Sequence, residues 1–298
     1  MYRIRIPIGL LLLATVAGIF YLDFRNQTAI FSKTVIAILA VVALSEFYRL
    51  MERRGDRPYR WYGIGSAVVG FLLMIVYPPA INTSMIDPQQ LWFSAIFLGL
   101  MLRLLLDSHE ERVLEKTAYT ALGLVYIYFL MAHLLLIRDL GLHPELVLQQ
   151  EDLTRRNQAG VIYLFFFVLV VKGTDIGGYL LGKAIGKHKL CPHISPKKSW
   201  EGLFGGIVVS LGFAFGLRHL FPVLHNHLSI AMTIAFALVM CLLSLFGDLT
   251  KSIVKRRCQV KDSANLIPEF GGILDLVDSL ILAAPVAYYW LLWLLKLS

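Results

Sequence analysis

Residues 229–296 read SIAMTIAFALVMCLLSLFG (229–247), DLTKSIVKRRCQVKDSANLIPEFGGILDLVD (248–278) and SLILAAPVAYYWLLWLLK (279–296). The first and last of these runs are apolar and long enough to cross a bilayer core as helices. The middle one holds four Asp, one Glu, three Lys and two Arg, with a Gly-Gly pair shortly before the last two carboxylates. Charges left unpaired next to hydrocarbon are expensive, so a cluster in this position implies a charged guest. A divalent metal and a phosphate-bearing substrate fit that description.

The rest of the chain repeats the apolar pattern. It is 57% hydrophobic and 16% charged, with a mean hydropathy of +0.68. Candidate spans fall at about 4–22, 30–50, 61–81, 91–106, 118–137, 158–181, 203–221, 229–247 and 279–296. The expected fold is therefore an all-α polytopic membrane protein with about nine transmembrane helices. Arg3 and Arg5 before the first run resemble the start of a signal peptide, but the run is long and no soluble domain follows, so it is read as a retained span.

Basic residues orient the spans. With the N-terminus in the cytoplasm, all but Arg25, Lys33, Arg138, Arg155, Arg156, Arg218 and Lys296 of the 28 Lys and Arg fall on the cytoplasmic side, as the positive-inside rule expects. The pI of about 9.4 is then a topology signal and an attraction to anionic lipid, not a nucleic-acid footprint. Cys191, Cys241 and Cys258 form no CxxC pair, so neither a zinc site nor a disulfide scaffold is expected.

One integral membrane domain is expected. Residues 1–157 supply about five N-terminal helices, and 158–298 a catalytic core of about four, with cytoplasmic loops at 182–202 and 248–278. Three constellations sit at the cytoplasmic face of this C-terminal half. In the first, Lys172 and Asp175 are i,i+3 on one helical face. They either pair with each other or line a polar cavity, with Gly177 and Gly178 permitting close approach.

The second runs through Gly182, Lys183, Gly186 and Lys187 to Ser195, Pro196, Lys197, Lys198, Ser199 and Glu201. Loop glycines beside lysines suit phosphate oxygens, although the Walker A spacing is absent. A solvated basic loop touching lipid headgroups is the plainer alternative. Ser199 also reads as a helix N-cap, with Glu201 in the first turn.

In the third, a helix from Asp248 would place Asp248, Ser252 and Lys255 on one face, while Asp275 and Asp278 share a face at the start of the last span. Carboxylates from two helices meeting over phosphate could complete a Mg²⁺ shell; mutual charge pairing is the competing explanation. Glu46 and Arg49 are read as structural, pairing with each other or reaching water, and Arg103 similarly.

These motifs resemble the phosphatidate cytidylyltransferases, or CDP-diacylglycerol synthases. The resemblance rests on Ser252-x2-Lys255-Arg256, Lys261-Asp262, Pro268, Gly271-Gly272, Asp275 and Asp278, preceded by Asp175, Tyr179, Gly182-Lys183, Ser195 to Gly202 and Gly247-Asp248. Two positions depart from it: Phe270 and Leu276 stand where the family pattern has His and Arg.

The resemblance implies that CTP and phosphatidate, drawn from the bilayer, give CDP-diacylglycerol and pyrophosphate in phospholipid biosynthesis. It implies Asp248 and Asp275 as ligands of Mg²⁺, leaving open a second cation beside it, with Asp278 as a third acidic contributor. Lys255, Lys261 and Asp262 would join the catalytic set. Lys197, Lys198 and Arg256 would hold phosphates, with Asp175, Lys183, Ser195, Pro196, Ser199, Glu201, Ser252, Gly271 and Gly272 also at the substrates. A homodimer would match the family, and a bacterial cytoplasmic membrane is the expected location. A CTP-dependent lipid or polyprenol kinase would have similar needs. A transporter or scaffold would more naturally place its charges at mid-membrane within repeats.

Overall fold

The computed structural model describes residues 2–78, 88–143, 152–260, 263–264, 266 and 271–297. The helices are α1 (Tyr2–Asn26), α2 (Ile30–Arg54), α3 (Arg60–Val76), α4 (Pro88–Leu106), α5 (Val113–Gly123), α6 (Leu130–Asp139), α7 (Leu153–Ile185), α8 (Trp200–Leu220), α9 (Pro222–His227), α10 (Ile230–Arg257) and α11 (Ile273–Leu297). A π-helical turn, Leu124–Phe129, joins α5 to α6, so that Val113–Leu142 forms one long rod. Each expected apolar stretch lies mainly on a helix; the third outruns α3, and its residues 79–81 fall outside the described ones. Against the nine or so spans expected, seven helical stretches among the described residues are long and apolar enough to cross a membrane; α3 is apolar but shorter, and α1 is not among the seven. Helices suit this role because each satisfies its own backbone hydrogen bonds where no water is present. Exposed Leu72, Leu91, Leu98, Leu105 and Phe246 give the bundle the apolar exterior that lipid requires.

Two features differ from expectation. First, α10 does not end near 247 but continues to Arg257, and α11 starts at Ile273. No Gly or Pro lies between Asp248 and Arg257 to interrupt the helix. The charges of that stretch are therefore held on rigid helical turns rather than in a loop. Second, the 182–202 segment contains a small antiparallel hairpin, β1 (Lys189–Cys191) and β2 (Ser195–Ser199), with Lys189 opposite Ser199 and Cys191 opposite Ser195. The base of the hairpin is pinned. Trp200 N donates to His188 O at 3.0 Å, and Glu201 Oε1 accepts from His188 N at 3.1 Å and lies 2.6 Å from its Nδ1.

Glycines bring α7 and α8 together. A Cβ on Gly177 would collide with the Gly205 carbonyl, and one on Gly205 would meet Leu181 and the Gly177 carbonyl. Small residues at such a crossing let backbones touch, which is how helices associate without a hydrophobic driving force. Ser199 Oγ then caps α8 by accepting from Gly202 N at 3.1 Å. Thus β2 leads directly into a helix locked against α7.

A buried ionic knot closes the other end of the bundle. Lys33 Nζ lies 2.6 Å from Asp139 Oδ2, and Arg138 Nη2 donates to Thr28 O at 2.6 Å. Asp23 accepts from Phe31 N at 3.1 Å, Ser32 N at 3.0 Å and the Ser32 hydroxyl. Lys33 and Arg138, expected in outer loops, are instead buried on helices. They tie the α1–α2 turn to the end of α6.

Candidate active site

The last turns of α10 place Asp248, Lys251, Ser252 and Lys255 on one face, opposite the first two turns of α11 with Asp275 and Asp278. Lys251 is central. Its ammonium lies 2.9 Å from Asp248 Oδ1 and 3.3 Å from Asp275 Oδ1, and it also donates to Asp278 Oδ2. Lys255 Nζ lies 2.6 Å from Asp275 Oδ1. From β2, Lys198 reaches Asp248 Oδ2 at 2.8 Å. The other oxygen of Asp278 accepts from Ser279 N at 2.6 Å.

A second tier from α7 adjoins this cluster. Lys172 Nζ lies 3.1 Å from Asp175 Oδ2, 2.7 Å from Leu276 O and 2.8 Å from Ser279 Oγ. Asp175 accepts from Ser244 Oγ at 3.2 Å and from Ser279 Oγ at 2.9 Å. The Lys172–Asp175 pair therefore forms, and it also joins α7 to α10 and α11. The Leu276 position serves the site through its carbonyl.

The start of α11 is held by a residue read from the sequence as structural. Glu46 does not pair with Arg49 or reach for water. It is buried, with Oε1 accepting from Ile273 N at 2.9 Å and Oε2 from Leu274 N at 2.8 Å. A carboxylate at a helix N-terminus satisfies donors that the helix cannot. Ser263 Oγ stands 3.0 Å from Glu46 Oε2 and 2.8 Å from Asp275 Oδ2, so one hydroxyl links the cap to the cluster. This explains the Gly-Gly pair. Gly271 has φ +92°, the left-handed region glycine favours, and a Cβ on Gly272 would strike Ser263 Oγ and the Glu46 carboxylate.

The structure thus gathers Asp175, Lys198, Asp248, Lys255, Asp275 and Asp278, with Gly271 and Gly272 shaping the backbone beside them. Arg256 binds the Ile194 carbonyl and fastens the hairpin to α10. The side chains of Ser199 and Glu201 serve the α8 cap and the hairpin base, so both brace the site from within the protein. Lys197 and Pro196 are exposed on β2 and Ser195 is half-buried there, as is Ser252 on α10; Lys183 lies 5.8 Å over the Tyr179 ring. Lys261, Asp262, Pro268 and Phe270 lie outside the described residues. Sequence reasoning missed Lys251, Glu46, Ser244, Ser263 and Ser279. The Asp248–Lys251 spacing is a local signal for the first; Glu46 carries none.

Asp248 and Asp275 were expected to hold a divalent ion. Their oxygens have the right chemistry for Mg²⁺, but the arrangement does not fit one. With Lys251 in place, no three Asp, Glu, His or Cys side chains among the described residues are grouped closely enough to hold a metal. The space shared by the carboxylates contains the Lys251 ammonium. The paired oxygens of Asp248 and Asp275 are taken by Lys198, Lys251 and Lys255.

An apolar helix bundle with charge-paired carboxylates and lysines at one end defines an integral membrane protein with an ionic site at the bundle's mouth. The chain belongs to the Cytidylyltransferase family, whose pattern matches residues 3–294. It is similar to the phosphatidate cytidylyltransferase of Haemophilus influenzae, at 39% identity over 149 residues, 50% of this chain and 52% of that protein. The Bacillus subtilis phosphatidate cytidylyltransferase is 34% identical over 177 residues, 59% of this chain and 58% of its own. That of Pseudomonas aeruginosa is 44% identical over 126 residues, 42% of this chain and 45% of its own. The chain spans about half the length of the curated relatives it matches.

Proposed function

We propose that this protein is a phosphatidate cytidylyltransferase, joining CTP and phosphatidate to give CDP-diacylglycerol and pyrophosphate. A phosphate oxygen of the lipid attacks the α-phosphorus of CTP, one P–O bond forms, and the bond to the pyrophosphate oxygen breaks. The observation that carries this reading is the unbroken series Lys198–Asp248–Lys251–Asp275–Lys255, which draws on β2, α10 and α11. Two polyanions must approach each other in this reaction, so positioned cations matter more than a strong base. Lys198 and Lys255 lie at the edge of the series, each held by one carboxylate and able to turn toward phosphate. The family membership and the names of the three relatives support cytidylyl transfer over phosphoryl transfer.

The lipid's acyl chains would remain beside the exposed leucines while its headgroup meets CTP at the bundle's mouth. With the N-terminus inside, that mouth opens to the cytoplasm, and bacterial relatives support a cytoplasmic-membrane location. Mg²⁺ is proposed to arrive as the counter-ion of the CTP phosphates. The test uses membranes bearing the protein, phosphatidate, Mg²⁺ and CTP labelled at the α- or the γ-phosphate. Label entering lipid from the α position alone is expected. Transfer of the γ label to an alcohol would instead establish a lipid kinase, and transfer of neither would refute an enzymatic role.

A further inference from the structure

Lys251 is buried, with its side chain 7% exposed, on the face of α10 that looks into the three carboxylates. An ammonium group has three N–H donors and no acceptor. Here three carboxylates, Asp248, Asp275 and Asp278, lie against it as ion pairs, and Asp278 accepts its hydrogen bond. Its charge is therefore met by carboxylates from both α10 and α11. The spacing suits it as well. Asp248 and Asp275 oxygens at 2.9 and 3.3 Å are within ion-pair reach of the ammonium, which occupies the space between them. Charge agrees with geometry. With Lys198 on Asp248 and Lys255 on Asp275, the three carboxylates already face three ammonium groups. A divalent ion placed among them would bring positive charge that none of these three carboxylates is left to balance.

We propose that Lys251 is a resident cation: its ammonium takes the position between Asp248, Asp275 and Asp278 that a divalent ion would otherwise fill, so that the only divalent ion at this site is the one CTP carries in. The cluster is then preorganised and electrically balanced before substrate arrives, and Lys251 acts by positioning the three carboxylates and, through them, Lys198 and Lys255. This inference rests on the cytidylyl-transfer reading for the role of the cluster. Its test uses no turnover, so that it and the labelled-CTP assay fail separately.

The experiment is a Mn²⁺ titration of the purified, detergent-solubilised protein without nucleotide, followed by the electron paramagnetic resonance signal of free Mn²⁺. Wild type is expected to bind no Mn²⁺ that depends on Asp275. Lys251→Gln removes the ammonium and is expected to gain one Mn²⁺ per chain, lost again in Lys251→Gln/Asp275→Asn. Mn²⁺ binding by wild type that Asp275→Asn abolishes would overturn the proposal. So would a folded Lys251→Gln protein that binds none, since the carboxylates would then be no home for a divalent ion. Should Lys251→Gln fail to fold, wild type against Asp275→Asn decides on its own: Asp275-dependent binding refutes the resident cation, and its absence upholds it.

Discussion

Glu46 Oε2 accepts the backbone N–H of Leu274 at 2.8 Å, so that a carboxylate in the middle of α2 caps the helix bearing Asp275 and Asp278. Its other oxygen takes Ile273 N at 2.9 Å. Glu46→Ala would leave both amides without a partner in a buried setting. A lost cap costs about 0.5–2 kcal/mol, and unmade hydrogen bonds to a charged group add to that. The expected result is a melting temperature in detergent well below wild type, accompanied by loss of turnover. Unchanged stability and activity in Glu46→Ala would show that α11 is positioned by packing alone.

Asp275 is the most heavily shared carboxylate of the cluster. It accepts from Lys255 at 2.6 Å, from Ser263 N at 3.0 Å and from Gly272 N at 3.2 Å, and it faces Lys251 at 3.3 Å. Asp275→Asn keeps the shape but places an amide NH₂ where an acceptor is required, leaving a lysine uncompensated. Turnover is expected to fall by about 10²–10³-fold, the scale of removing one preorganised electrostatic partner, while membrane insertion remains normal. Cytidylyl transfer at the wild-type rate would remove Asp275 from the working site.

The sequence and the structure agree where physics acts over a few residues. Apolar runs set the helices, and the Asp248, Lys255, Asp275 and Asp278 spacings put charges on facing turns. Lys198 was legible as part of a basic loop, though its partner Asp248 was not. Lys251 is at i+3 from Asp248, but a lysine so placed reads equally as a local ion pair, and its contacts with Asp275 and Asp278 come from α11. Glu46 was beyond reach, because its partners lie far along the chain and no local pattern links an α2 carboxylate to the start of α11. The β1–β2 hairpin was hidden for a related reason. Its strands are very short, one contains Pro196, and the ends close through the His188–Glu201 contact rather than through strand propensity.

The α7–α8 crossing yields a steric prediction with its own control. A Cβ on Gly177 would run into the Gly205 carbonyl, a backbone atom that cannot swing away, whereas one on Gly178 would sit 3.6 Å from Gly202 O. Gly177→Ala is therefore expected to destabilise the protein by about 1–3 kcal/mol through overpacking, and to displace the hairpin that carries Lys198. Gly178→Ala should melt close to wild type. Equal effects from the two substitutions, read by thermal unfolding in detergent, would mean that the helices do not cross at Gly177.

The Lys33–Asp139 pair, at the opposite end from the cluster, separates scaffold from chemistry. Its ions are 2.6 Å apart and nearly inaccessible to solvent, so removing one partner leaves a buried charge uncompensated. Lys33→Met or Asp139→Leu alone is expected to destabilise by about 3–5 kcal/mol, and the double substitution by clearly less, because a buried pair replaced by apolar side chains loses its desolvation penalty along with its attraction. Arg138 beside them keeps its own contact with Thr28 O in all three variants. Thermal melting of the four proteins closes the cycle. Losses that simply add would show that the two charges do not interact. Cytidylyl transfer measured below the melting range should change little in the double variant, since none of these side chains touches α10, β2 or the start of α11.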